Sequence, residues 1–329
     1  IAYYHLDSPE KIYYDKYEPD AQTDMTIEQL KRLSASDKPF ALFLSIGTPH
    51  DPWVPENVPA DCLERFRSTD FHLPENYLPE NDPHADAWAR LSDEEREQLT
   101  EWMRVYYAMT ANLDDNIGRL LDSIREMGLD QNSIIVFTSD HGELFGAHGR
   151  RAKNIFYEEA VRVPFLIKWK NHLEEGVRRN FVFNTVDIMP SLLSLMGLSI
   201  PDEVEGTDLS RCILGESDTE KGALMMCTGP TAVFGDGQEW RAFRTKKYTY
   251  AVFKSDGQEL LFDNQTDPLQ MNNLIGKEAY QEVAEDLKHK MYAEMNRIGD
   301  NFEKNSYYEK NWIKDRIIER TATLNPIKS

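Results

Sequence analysis

The sequence predicts an α/β fold: a mixed sheet flanked by helices, followed by a smaller C-terminal subdomain of antiparallel sheet plus helix. Two observations carry this prediction. Short apolar runs at residues 40–46, 133–138 and 163–169 alternate with helical stripes, as strands covered on both faces do. After Gly206 the pattern changes to four short strand-like segments and one last helical stretch, so the boundary falls there, with residues 1–206 as the larger part and 207–329 as the smaller.

Each element follows from its residues. Residues 1–23, rich in Tyr, Asp and Pro, hold no period and read as an irregular lead-in. Residues 25–33 have helical spacing with Thr23 or Asp24 as cap, and Lys38-Pro39 stops it ahead of the run 40–46, which reads as a buried strand. The Pro-punctuated stretch 48–93 reads as a long surface excursion. From Ser92 to Met127, apolar residues recur at Leu99, Trp102, Val105, Met109, Leu113, Ile117, Leu120 and Ile124, a 3.6-residue stripe that Gly128 ends. Strands are predicted at 133–138 and 163–169, and a capped helix at 187–196 closed by Gly197. Short strands follow at 223–227, 240–245, 248–253 and 259–262, then helical spacing over 278–295 and a polar tail after Asp300.

Charge narrows the partners. The formal net charge of −20 opposes binding to nucleic acid or an anionic membrane, so an anionic ligand must meet a local cluster of cations. No apolar run approaches the roughly 18 residues of a membrane span. The three cysteines, Cys62, Cys212 and Cys227, show no metal-site spacing. The chain opens at Ile1 without a leader-like segment, and we expect it to be the downstream part of a longer protein.

Asp140 and His141 directly follow a predicted strand, where a short turn can hold a carboxylate and an imidazole over the sheet edge. That donor pair suits Ca²⁺, Mg²⁺ or Mn²⁺, the imidazole tilting toward Mn²⁺; on the pair alone, a turn cap beside a packed histidine reads equally well. Arg150, Arg151 and Lys153 form the densest cationic cluster near this loop and can hold an anion, or can be a solvated turn paired with Glu158 and Glu159. His50, in a Pro-rich loop after the run 40–46, can donate a proton to a leaving group, its unperturbed pKa being about 6.5. His148, in Gly146-Ala147-His148-Gly149, is a candidate substrate contact.

The stretch Ile134-Ile135-Val136-Phe137-Thr138-Ser139-Asp140-His141-Gly142-Glu143, then Gly146-Ala147-His148-Gly149, Lys153 and Tyr157-Glu158-Glu159-Ala160-Val161-Arg162-Val163-Pro164, closely resembles the type I sulfatases of the alkaline phosphatase superfamily. Matches recur at Pro49-His50-Asp51-Pro52, Leu113-Asp114-Asp115-Asn116-Ile117-Gly118-Arg119-Leu120-Leu121, Val186-Asp187-Ile188-Met189-Pro190-Ser191-Leu192-Leu193 and Leu261-Phe262-Asp263, so the resemblance covers roughly residues 20–295. It implies hydrolysis of a small-molecule or carbohydrate sulfate ester. Asp140 and His141 match the second pair of metal ligands, with Ca²⁺ as the expected cofactor and Mn²⁺ or Mg²⁺ as alternatives. Lys153 matches the lysine on the sulfate and leaving oxygen, His50 the leaving-group acid, and His148, Arg150 and Arg151 stand as substrate-binding candidates.

The family's nucleophile is a formylglycine made in a Cys/Ser-x-Pro/Ala-x-Arg motif, which we expect upstream, so this chain alone should be inactive. Asp61-Cys62-Leu63-Glu64-Arg65 lacks the third-position Pro or Ala. Arg151 stands where an aromatic residue is frequent. Phosphonate or phosphate ester hydrolysis is the runner-up, a non-catalytic binding protein the third reading, and a periplasmic or extracellular location the expectation.

Overall fold

The computed structural model describes residues 2–3, 8–77, 84–227, 235–314 and 317–318. It is a mixed α/β structure, and the chain gathers into two compact units. The first comprises residues 1–74, 87–137 and 166–171, and the second residues 75–86, 138–165 and 172–329, so the second takes in residues on both sides of Gly206.

In the first unit, strands β1 (Ala2–Tyr3) and β2 (Ile12–Tyr13) pair antiparallel, and helix α1 runs over Glu18–Ser34. The lead-in is thus partly ordered, and α1 starts earlier than the spacing of 25–33 predicts. Pro19 sits in the first turn, where its missing N–H is not needed, and Glu18 and Asp20 complement the helix dipole there. A short α2 (Ala60–Glu64) buries Cys62. Helix α3 (Asp93–Glu126) begins at a capping box in which Ser92 and Glu95 satisfy each other's backbone N–H groups. Its stripe buries Leu99, Val105, Ala108 and Met109, and Asn112 and Asn116 donate to Asp20 Oδ1 of α1 at 3.1 and 2.7 Å. Strand β3 (Ile134–Thr138) pairs with β4 (Phe165–Trp169).

The predicted strand at 40–46 is corrected. Its side chains alternate between more and less exposed, as extended chain does, but it joins no ladder among the described residues, and Phe43 is 94% exposed. Apolar composition favours a strand, but a strand also needs a backbone partner. The stretch 48–93 is likewise more than surface: Trp53, Val58, Cys62 and Asn76 within it are buried.

The second unit is built on a four-stranded antiparallel meander, β5 (Ala223–Cys227), β6 (Trp240–Arg244), β7 (Tyr248–Phe253) and β8 (Glu259–Asp263), in that spatial order, as the sequence predicts. Both faces are covered. Phe243, Tyr250, Val252 and Leu261 pack on Leu287, Met291 and Met295 of helix α4 (Gln281–Ile298). Trp240, Ala242, Ala251, Phe253, Leu260 and Phe262 point the other way, into a cluster with Leu144, Ala147, Ile155, Phe156, Tyr157 and Ala160. The period of two along each strand sends alternate residues to each core. A further helix, at Thr185–Leu195, begins at an Asn184/Asp187 capping box, two residues before the predicted start.

The tail after Asp300 folds back, its described part including a helix at Asn305–Trp312 and an antiparallel pairing of Ile313–Lys314 with Ile317–Ile318. The fully buried Arg241 donates through Nε and Nη2 to Asp300 at 2.5 and 3.0 Å, and through Nη2 to the Tyr308 hydroxyl at 2.9 Å. Burial alone would raise the Asp300 carboxyl, but the bond and charge of Arg241 hold it below the usual carboxylate range. Such a group stabilises the fold above the unfolded carboxylate pKa and loses that contribution as pH falls through the folded one. Arg241→Leu should cost about 3–5 kcal/mol in urea unfolding, because it strands Asp300 without its partner. In wild type the stability should stay level down to roughly pH 4 and fall below it, and Asp300→Asn should flatten that acid limb.

Candidate functional site

The loop after β3 is built to hold a fixed shape. Phe145, Gly146, His148, Gly149 and Ala152 all have left-handed backbone, with φ of 45°, 93°, 56°, 66° and 68°. Non-glycine residues in that region cost free energy and persist only where their surroundings over-determine them. Here the surroundings do so: Leu144 N–H donates to Ala152 O at 3.1 Å and Gly146 N–H to Arg150 O at 2.9 Å, closing the loop on itself. Leu144 before it and Ile155, Phe156 and Tyr157 after it are buried in the core under the meander. At the loop's start, Gly142 N–H donates to Ala160 O at 2.8 Å, and a Cβ on Gly142 would stand 1.9 Å from Glu159 O.

Asp140 projects into solvent, its side chain 82% exposed, and its Oδ1 accepts from His141 N–H at 2.9 Å. The His141 ring is less exposed, and its Nδ1 lies 2.8 Å from Gly142 O. A carbonyl only accepts, so Nδ1 carries a proton there and Nε2 is the ring atom turned toward Asp140. That Nε2 lies 3.4 Å from Asp140 Oδ2. Neighbouring ligands on an octahedral cation at about 2.2–2.5 Å stand roughly 3.1–3.5 Å apart. The two donors therefore fit one edge of a divalent-cation shell, with the backbone carbonyl fixing the imidazole as a metal-bound histidine requires. Among the described residues no group of three or more His, Cys, Asp or Glu side chains gathers into a metal cluster.

Lys153 follows the anchored Ala152, whose N–H donates to Glu143 Oε1 at 2.8 Å. Glu143 is a residue that sequence reasoning missed as a support, although it follows Asp140-His141-Gly142 directly. Burial pushes its carboxyl up, against the N–H groups of Ala152 and Phe145 and the positive charges of Lys153 and Arg151. This one side chain ties the loop that carries Asp140 and His141 to the loop that carries Lys153. Arg150 donates to His84 O, and Arg151 N–H to Asp86 Oδ2 at 3.0 Å. Glu158, the expected partner of the two arginines, instead holds Arg244 through Nε and Nη2 at 2.6 and 3.2 Å.

His148 is corrected from a substrate contact to an interior support. It is fully buried, stacked on Tyr157 at 3.5 Å between centroids and 6° between planes. Asn76 Nδ2 lies 3.1 Å from its Nε2 and donates to Glu159 Oε1 at 2.6 Å. Burial would raise the Glu159 carboxyl, but the bond and charge of His148, with Asn76, hold it below its ordinary value. Asn76 sits in a stretch without period, so no sequence signal marks it. His50 belongs to the first unit, where its Nδ1 lies 2.8 Å from Asp51 Oδ1, a contact that orients the ring. Cys62 is unsuited to attack: burial pushes its thiol up, away from the reactive thiolate.

The sulfatase family model matches residues 2–198. The chain belongs to the sulfatase family. A second model, the C-terminal region of N-sulphoglucosamine sulphohydrolase, matches residues 146–297, so the cationic loop and the meander fall within one family region. The chain is 36% identical to the ulvan-active sulfatase of Formosa agariphila, over 95% of this chain and 58% of that protein. It is 33% identical to an arylsulfatase of Clostridium perfringens, over 80% of this chain and 54% of the relative. The chain thus spans a little over half the length of these curated relatives. A structure solved in complex with its substrate D-glucosamine-2-N,6-O-disulfate shares the fold, with a TM-score of 0.78 at 23% identity, covering 90% of this chain and 72% of that one.

The close approach at Gly142 makes a signed prediction. Gly142→Ala should lower stability by about 3 kcal/mol, since the added carbon meets backbone that cannot swing away. Gly118, exposed within α3 with nothing within 4 Å of an added Cβ, serves as control. Gly118→Ala should raise stability by about 0.5–1 kcal/mol in the same urea titrations.

Proposed function

We propose that this chain supplies half of the metal site, the sulfate-binding lysine and the leaving-group acid of a hydrolase for carbohydrate sulfate monoesters. The observation that carries this reading is the oriented Asp140/His141 pair, 3.4 Å apart on a loop braced through Glu143 to the lysine-bearing segment. The names of the relatives, an ulvan-active sulfatase and an arylsulfatase, support the reaction, and the glucosamine disulfate complex supports a sugar as the alcohol.

Asp140 and His141 would hold a divalent cation, Ca²⁺ by the family resemblance with Mn²⁺ or Mg²⁺ as alternatives. Bound there, the cation supplies charge that neutralises a sulfate oxygen. Lys153 contributes a second positive charge, aimed at the sulfate and at the leaving oxygen as negative charge grows on it. Because Asp51 engages His50 at Nδ1, Nε2 is the atom that delivers a proton to the departing sugar oxygen. The attack on sulfur falls, by the same resemblance, to a formylglycine in a segment of the whole enzyme beyond the residues assigned here.

Transition-state charge stabilisation should be lost with Lys153. In the full-length enzyme, Lys153→Met should lower kcat on an aryl sulfate by about 10²–10³-fold, with Arg151→Met far milder. Near-normal turnover for Lys153→Met, or a larger loss for Arg151→Met, would refute the assignment. Paired sulfate and phosphonate esters in the same assay separate this reading from phosphonate hydrolysis.

The metal half-site has its own readout. Two protein donors leave most of a hard cation's shell to water. Calorimetry of this chain alone with Ca²⁺ or Mn²⁺ should therefore show no binding tighter than about micromolar, and stoichiometric tight binding would show that further ligands lie within it.

A further inference from the structure

The run Phe40-Ala41-Leu42-Phe43-Leu44-Ser45-Ile46 has the composition of an interior strand and the surroundings of a surface loop. Among the described residues no hydrogen bond engages its backbone. The bonds on either side of it are Lys38 N–H to Ser36 Oγ at 3.2 Å and His50 N–H to Gly47 O at 3.1 Å. Exposure alternates along the middle of the run. Ala41, Phe43 and Ser45 are exposed, Phe43 at 94%, while Leu42, Leu44 and Ile46 are half-buried. A period of two is what extended chain gives, so the segment is laid out as a strand with one face turned in and one turned out.

Such a segment lacks two things at once. Its N–H and C=O groups have only water to bond, and the Phe43 ring has nothing over it. The paired strands of this unit show the same shortage. Among the described residues β3 pairs only with β4, and Leu166 of β4 is 63% exposed. Two strands are too few to make a stable sheet in water. The first unit therefore holds more strand-forming sequence than it pairs. Seven residues at about 3.3 Å each span roughly 23 Å, the length of an ordinary strand.

Charge and chain length decide between the occupants of this edge. A second copy would bring a net charge of −20 against another −20, which opposes close approach at low salt. A segment of the same polypeptide needs no such encounter, because a tether holds it at an effective concentration of about millimolar. The curated relatives have chain to supply it. The match takes in 58% of the ulvan-active sulfatase and 54% of the arylsulfatase, so close to half of each lies outside it. We propose that an apolar, extended segment from the corresponding part of the whole enzyme adds to residues 40–46 as a β-strand and covers Phe43. Backbone bonds hold a strand docked in this way, and pockets for alternate side chains select it. The ladder would end at Ile46, where the turn that presents His50 begins, so docking fixes that turn from its start.

Hydrogen exchange on the full-length enzyme and on this 329-residue chain tests the docking without any turnover, so failure of the hydrolase reading leaves the result readable. In the chain, in dilute low-salt buffer, the amides of residues 41–46 should exchange within about tenfold of an unstructured peptide. In the full-length enzyme at least alternate ones should slow by about 100-fold or more. Phe43→Asp should leave the urea midpoint of the chain unchanged and lower that of the full-length enzyme, and Phe43→Leu should recover most of the loss. Equal exchange in the two proteins would overturn the proposal, as would a whole protein no longer than this chain. Protection in the chain that rises with its concentration would assign the run to a second copy and overturn it as well.

Discussion

A loop with five left-handed residues between positions 145 and 152 carries backbone strain, and its anchoring to the meander is the constraint on which the candidate site depends. Leu144, Ala147, Ile155, Phe156 and Tyr157 are loop and flank residues by sequence and core residues by position, packed against alternate side chains of β6, β7 and β8. The sheet is therefore the mould against which the loop is set. Hydrogen bonds from Gly142 to Ala160 and from Ala152 to Glu143 then fix the backbone that carries the candidate side chains.

This explains why so many polar groups near the site are buried and have no direct chemistry. Asn76, His148 and Glu159 form a network behind the loop, with the buried His148 flat against Tyr157 and the Glu159 side chain partly exposed. In a low-dielectric interior such a network carries a cost wherever an atom goes without a hydrogen-bond partner, as His148 Nδ1 and Glu159 Oε2 do. The bond from Ala152 N–H to Glu143 braces the backbone between the candidate pair Asp140/His141 and Lys153.

Much of this was legible from residues alone. The α3 stripe, the strands at β3 and β4, the period-two meander and the helix after it all follow local rules of spacing and capping, and local rules do not depend on distant partners. The candidate pair Asp140/His141 was legible because it directly follows a strand. What failed depended on tertiary partners. His148 reads as a site residue because it is a histidine near a site, and only packing shows that its ring faces Tyr157 and Asn76. Asn76 lies in a stretch with no period, and its importance comes from residues more than seventy positions away.

The segment 40–46 was misread for the opposite reason, since its composition is that of an interior strand while its backbone enters no ladder among the described residues. The consequence concerns handling rather than catalysis. An extended, β-prone apolar stretch bearing a nearly fully exposed phenylalanine is a template on which other copies can add strands. Expressed by itself, the chain should be limited by colloidal behaviour, its −20 charge delaying precipitation in dilute buffer and ceasing to do so as salt screens the repulsion.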